Sequence, residues 1–279
     1  MFTRRAAVGW ALPLMLLMGG ALVLPFVWRT GLLLSDCAQQ EAGCALAELV
    51  ADDEYLRAAW NTWWLSTVSA LLGLLLGLGS AVALRQRPGA RPALSALASL
   101  GANLSGVPLA MALMVLLGAQ GVIPLAADAM GWPLRLDLQG MGGLLLAYVC
   151  FQAPLATLLL VAPVGLMDRS LQEAAATLGA PDGLFWRRVG LPLLLPSLVE
   201  TFGLLFANAA AAFATPFALS GTSAQVLAVR MASLVSGDIF AQPELSALLA
   251  LLLFSMMAVM LAASRWAAAR CRRLLEGTS

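Results

Sequence analysis

The sequence predicts an all-α polytopic membrane protein with six transmembrane helices. Hydrophobic residues make up 61% of the 279-residue chain and charged residues only 11%. The mean hydropathy of +0.88 is too high for a soluble domain of this length. The apolar residues fall in runs at 10–28, 64–84, 93–117, 140–164, 194–217 and 245–264. Each run is close to or above the roughly 20 residues that a helix needs to cross about 30 Å of hydrocarbon. Within that layer the backbone has to satisfy its own hydrogen bonds, so spans of this composition are helical. The basic residues alternate between connections, and all 16 are arginines. Arg4, Arg5, Arg85, Arg87, Arg91, Arg169, Arg187, Arg188, Arg265, Arg270, Arg272 and Arg273 fall on one side, twelve in all, against Arg29, Arg57, Arg135 and Arg230, four, on the other. This bias places both termini and residues 168–192 on the cytoplasmic side of the membrane.

The first run follows Arg4 and Arg5, as the core of a cleaved leader would. Its length, the lack of a small-x-small exit and its end at Trp28-Arg29 favour a retained first helix. The next connection, 31–59, is acidic, with Asp36, Glu41, Glu48, Asp52, Asp53 and Glu54 against Arg57. It also holds Cys37 and Cys44. An outward location permits a disulfide between them, whereas spacing alone leaves two reduced thiols equally open. Residues 50–59 fit a short amphipathic surface helix. Trp60, Trp63 and Trp64 then read either as interfacial anchors or as packing residues. In the second span Gly73 and Gly77, followed by Ser80 or Ala81, stand at the spacing that allows close helix crossing.

Arg85, Arg87 and Arg91, with Pro88 and Pro92, form a cytoplasmic turn before the third span. Within that span Gly101, Asn103, Ser105, Gly106 and Pro108 predict a kinked or loosened helix, with Asn103 and Ser105 as candidate path-lining residues or as part of a packing kink. Residues 119–138 form an outer connection. The fourth span contains a second polar break at Gln152 and Pro154, with Gln152 a candidate path residue and Tyr148 an anchor or cavity residue. In the fifth span Glu200 lies too deep to remain an isolated charge. It reads as half of a structural pair or as a gating group, while Asn208 and Thr215 continue its polar face. Residues 218–245 are an outer segment whose 226–235 stretch is apolar enough to dip into the membrane. The sixth span ends at Arg265, and a basic tail follows at 266–279.

The long polar stretch between spans four and five is 173–192, EAAATLGAPDGLFWRRVGLP. Ser170 and Glu173 have capping-box spacing, so a helix is expected from Leu171, with Ser170 as its cap. Gly179 suits the positive-φ position that ends it, and Pro181 and Asp182 suit the next helical start. Three adjacent alanines leave a surface on which another protein could approach the backbone. An ordinary capped connector is the other reading. Arg187 and Arg188 fit either lipid headgroups or a partner protein.

Glu173-Ala174-Ala175, Gly179, Val189 and Leu191-Pro192 resemble the EAA loop of membrane subunits of binding-protein-dependent ABC importers, in the spermidine/putrescine, iron, thiamine and sulfate/molybdate branch. Val189 stands where isoleucine is commonest. The resemblance implies a type I ABC importer permease bundle over 60–265, preceded by a first helix and periplasmic segment at 1–59. It implies that the loop is cytoplasmic and that Glu173, Ala174, Ala175, Gly179, Val189, Leu191 and Pro192 couple it to a separate ATPase. A cytoplasmic ATPase dimer, a second and non-identical permease subunit, a periplasmic solute-binding protein and the bacterial inner membrane are the implied partners and setting.

The residues alone argue against an enzyme. Neither a glycine-rich nucleotide motif nor a Walker lysine is present, and the chain has no histidine. No cofactor, metal or nucleic acid is expected. An ion-coupled carrier using Glu200, or a non-transporting membrane scaffold, is the alternative class of function.

Overall fold

The computed structural model describes residues 31, 52–87, 89, 91–132, 136–167, 169–236 and 242–276. The expected first span and the Cys37–Cys44 pair lie outside them. Asp52, in an extended conformation, accepts from the Glu54 amide at 2.9 Å and starts α1, Asp53–Gln86. With Asp53 and Glu54 in its first turn and Arg85 in its last, α1 also matches its own dipole. It replaces the separate surface helix expected at 50–59, because nothing between Asp53 and the second span breaks the helical hydrogen bonding. At about 51 Å, its 34 residues outrun the hydrocarbon layer.

The third run divides into α2, Arg91–Asn103, and α3, Val107–Leu117. The break at 104–106 is a full interruption rather than a kink, with Gly106 at φ +74°. It places Pro108 in the first turn of α3, where a missing amide is tolerated. Helix α4, Val122–Ala129, follows, and the stretch long and apolar enough to cross a membrane is Val107–Ala129 instead of 93–117. Helix α5, Met141–Gly165, runs unbroken through Pro154 and Pro163, so the second polar break does not form.

Next come α6, Arg169–Thr177, and α7, Asp182–Phe185. A π turn at Trp186–Gly190 joins α7 to α8, Leu191–Ala210. The fifth span therefore ends at Ala210, not at 217. Helix α9, Ala214–Ser220, is separate, and with a 3-10 turn at Gly221–Ser223 it precedes α10, Leu227–Ser236. The segments Ala214–Ser223 and Leu227–Val235 meet at a 67° bend. Helix α11, Pro243–Glu276, carries the sixth span straight on through the expected tail.

Among the described residues five helical stretches are long and apolar enough to cross a membrane, or six if the bent pair counts as one. Helices α1 and α5 make the most extensive pair, and α8 packs against α1, α5 and α11. Because lipid removes most of the hydrophobic drive between helices, close approach and polar contacts have to hold them. The spacing of small residues supplies the first. A Cβ on Gly73 would lie 2.9 Å from Gln152 Cβ, and one on Gly77 would lie 2.8 Å from the Thr157 amide nitrogen. The Pro154 ring likewise rests on Gly101 of α2, where a Cβ would come within 2.9 Å.

One core cluster centres on Leu65, Leu113, Tyr148, Phe151 and Leu219, and a second on Leu205, Phe206, Leu227 and Leu249. A third, around Ala81, Leu160, Val164, Met167, Leu194 and Leu198, lies toward the end of the bundle that carries α6. Leu75, Val115 and Val259 are among the large apolar side chains left exposed, as lipid-facing positions would be.

Candidate functional site

Helix α1 fixes the two ends of the molecule. Near its start, Thr62 Oγ1 donates to Ala58 O at 2.8 Å and accepts from the Leu227 amide at 2.9 Å, capping α10. Asn61 donates to Gln225 O at 3.1 Å, and Arg230 pairs with Glu54 at 3.2 Å. Near its end, Val82, Arg85 and Gln86 share a recess of about 390 Å³ with Gln172, Glu173 and Ala176 of α6 and with Trp186. Residues 62 and 82 are about 30 Å apart along the helix, one hydrocarbon thickness. The α9–α10 bend and the α6 loop therefore occupy opposite ends of the bundle.

Helix α6 ends as its sequence demands. Gly179 has φ +78°, its amide donates to Ala176 O at 2.9 Å, and the Ala180 amide reaches back to Ala175 O at 3.0 Å. These two bonds are a Schellman turn, which only a residue tolerating positive φ closes without strain. Leu178, just before the turn, is 87% exposed. Glu173, Ala174 and Ala176 are also exposed, and Ala175 is partly covered. The helix starts at Arg169, one residue before Ser170.

Pro181 O accepts from the Leu184 and Phe185 amides at 2.9 and 3.2 Å, opening α7. Phe185 is buried, makes an edge contact with Trp186, and anchors the loop together with Trp186, which packs on the third core cluster. Gly190 is required by that anchor, since a Cβ there would sit 2.8 Å from the indole. Val189 and Leu191 are exposed and Pro192 partly buried, so the loop presents apolar surface on both sides of its anchor.

The polar residues inside the spans do not converge on one cavity. Asn103 is exposed and donates to Ser99 O at 2.8 Å, and Ser105 is exposed at the α2–α3 break. Thr215 is buried on α9, not on a continuous face with Asn208, and its hydroxyl accepts from the Gly106 amide at 2.9 Å. Asn208 is exposed on α8. Gln152 is fully buried at the α1–α5 crossing and donates to Ser69 Oγ at 2.8 Å. Tyr148 is a core residue whose hydroxyl donates to Ala212 O at 3.3 Å. Glu200 accepts from Arg272 at 2.6 Å. Cys150 and Cys271 are free thiols. Sequence reasoning missed Arg85, Trp186, Gly190 and Arg272 as site residues, since each takes its role from a partner remote in the chain or from ring packing.

An all-α bundle with a capped, exposed loop helix at one end defines a multi-pass membrane protein of the type I ABC importer permease fold. Over 94% of each chain it superposes on a bacterial alginate ABC transporter with a TM-score of 0.71 and 18% identity. The MetNI methionine ABC transporter gives 0.58 and 18% over 77% of this chain and 95% of that one. By sequence the chain is similar to transport system permease proteins. It is 31% identical over 173 residues to the thiamine transport system permease protein ThiP of Brucella abortus, covering 61% of this chain and 32% of that protein. ThiP of Escherichia coli K12 gives 29% over 209 residues, 73% of this chain and 38% of that one. The spermidine/putrescine permease PotC of Haemophilus influenzae gives 27% over 201 residues, 72% of each. The chain thus spans about a third of the length of the ThiP relatives, and no family model matches it.

Proposed function

We propose that this chain is a permease subunit of an ATP-driven importer. It forms one wall of a translocation path with a second, non-identical permease subunit and couples through residues 168–192 to a cytoplasmic ATPase dimer. The observation that carries this reading is the exposed α6 helix, closed by the Gly179 turn and held by Phe185 and Trp186 at the end of α1. Such an element presents a short rigid helix to a partner groove while its anchor transmits displacement into α1, α5 and α8.

The arginine bias puts that end, and both termini, in the cytoplasm. A periplasmic solute-binding protein then approaches the end carrying the α9–α10 bend. Exposed Asn103, Ser105 and Asn208 are the residues proposed to line the path, with Gln152, Thr215 and Glu200 holding its walls. The relatives' names cover thiamine, spermidine and putrescine, so they single out no solute for this chain, and solute choice is assigned to the binding protein. The ion-coupled alternative loses its carboxylate, because Glu200 is paired with Arg272.

Native mass measurement of the detergent-solubilised complex tests the assembly. Two permease and two ATPase chains are expected, and full solute uptake by this chain alone would overturn the proposal.

A further inference from the structure

We infer that Arg85 is a positioning residue for the coupling helix: its guanidinium receives the Glu173 carboxylate across the recess between α1 and α6 when the ATPase loads α6. The inference rests on the coupling role proposed above.

Arg85 and Glu173 carry opposite charges and line the same recess of about 390 Å³. Arg85 Nη2 is buried without a hydrogen-bond acceptor. A buried guanidinium nitrogen of this kind is costly to leave unmade, which favours any nearby state that supplies an acceptor. The ion pairs formed among the described residues are Arg57–Asp53, Arg230–Glu54 and Arg272–Glu200, so neither Arg85 nor Glu173 is engaged in one. Among the described residues the rest of the lining, Val82, Gln86, Gln172, Ala176 and Trp186, supplies amides and apolar walls but no second carboxylate.

Helix α6 makes its helix-to-helix contacts with α7 and none of comparable extent with α1. A small displacement toward α1 would close the recess and bring the two charges together. The pair then connects the loop to the end of the helix whose other end holds α10. Arg85 also suits the last turn of α1 through the helix dipole, but that role does not require the buried, unpartnered Nη2.

The test is a charge exchange in the complete importer in proteoliposomes, reading solute-stimulated ATP hydrolysis at matched permease content and matched ATPase occupancy. Arg85→Glu and Glu173→Arg alone are expected to lower stimulation about tenfold, the scale of one lost charged hydrogen bond. The double exchange is expected to recover most of it, and Arg85→Lys to retain most of it. Loss in both single variants without recovery in the exchange would overturn the pairing while leaving the coupling role of Glu173 intact. Normal stimulation in Arg85→Glu would also overturn it. Normal stimulation in Glu173→Arg would instead remove the coupling role itself. Should the reversed charges prevent assembly, the neutral pair Arg85→Gln and Glu173→Gln decides the matter. A double variant no worse than the worse single supports the pairing, and additive losses overturn it.

Discussion

Glu200 on α8 and Arg272 near the end of α11 are joined by a 2.6 Å charged hydrogen bond. The helix carrying Arg272 extends well past the sixth apolar run, so a residue of the nominal tail pairs with a carboxylate on α8. Both side chains are partly exposed, and such a pair contributes about 0.2–1 kcal/mol. Glu200→Gln or Arg272→Gln should lower the unfolding temperature in detergent by about 1–3 °C. The exchanged pair Glu200→Arg with Arg272→Glu should regain it. Equal loss in the exchanged pair would show that the two residues act independently.

The Gly179 turn makes a sharper prediction. Gly179→Val forces a β-branched residue to φ +78°, a local strain of about 1 kcal/mol or more. Glu173→Lys places a second cation beside Arg85. Neither change touches a span, so expression and membrane insertion should match the wild type. Both should lose ATPase chains on mild purification or keep them without solute-stimulated hydrolysis. Normal stimulation and uptake in both variants would return the loop to an ordinary capped connector.

At the α1–α5 crossing, Gly77→Val would drive a branched side chain into Ala156 and the Thr157 backbone. Overpacking of this kind costs about 1–3 kcal/mol. Thermal unfolding should fall accordingly, whereas Gly79→Val, with open space around its Cα, should not.

Thr62→Val keeps the shape of the side chain and removes the oxygen that caps the Leu227 amide. Leaving that buried donor unmade costs about 1–3 kcal/mol. Hydrogen exchange should accelerate in the first turn of α10 and remain unchanged in α6, at the opposite end of α1.

The second, fourth and sixth apolar spans and the Gly179 turn were legible because each depends on local composition or on one residue's backbone freedom. The interruption after α8 was not. It falls within a run of alanines, Ala209 to Ala212, which favour helix. Its cause lies downstream: a continuous helix would leave Ala212 O without the amide that Pro216 lacks. Ending at Ala210 puts Pro216 in the first turn of α9 and gives Ala212 O to the Tyr148 hydroxyl. The α2–α3 break likewise puts Pro108 in the first turn of α3. At Pro154 the helix continues instead, with its ring seated on Gly101, a contact between distant segments that no local pattern announces. Polarity along a span does not reveal which neighbour a side chain meets. Thr215 and Gln152 are both polar, and both are used up within the bundle.

Because Gly73 and Gly77 leave no methyl-sized gap against Gln152, Ala156 and Thr157, α1 and α5 cannot slide past one another by even one residue without a collision of backbone and Cβ. The two helices consequently travel as one solid beam, with α2 clamped to it through Pro154. Any movement that the proposed transport role requires within this chain therefore falls at its other helix contacts.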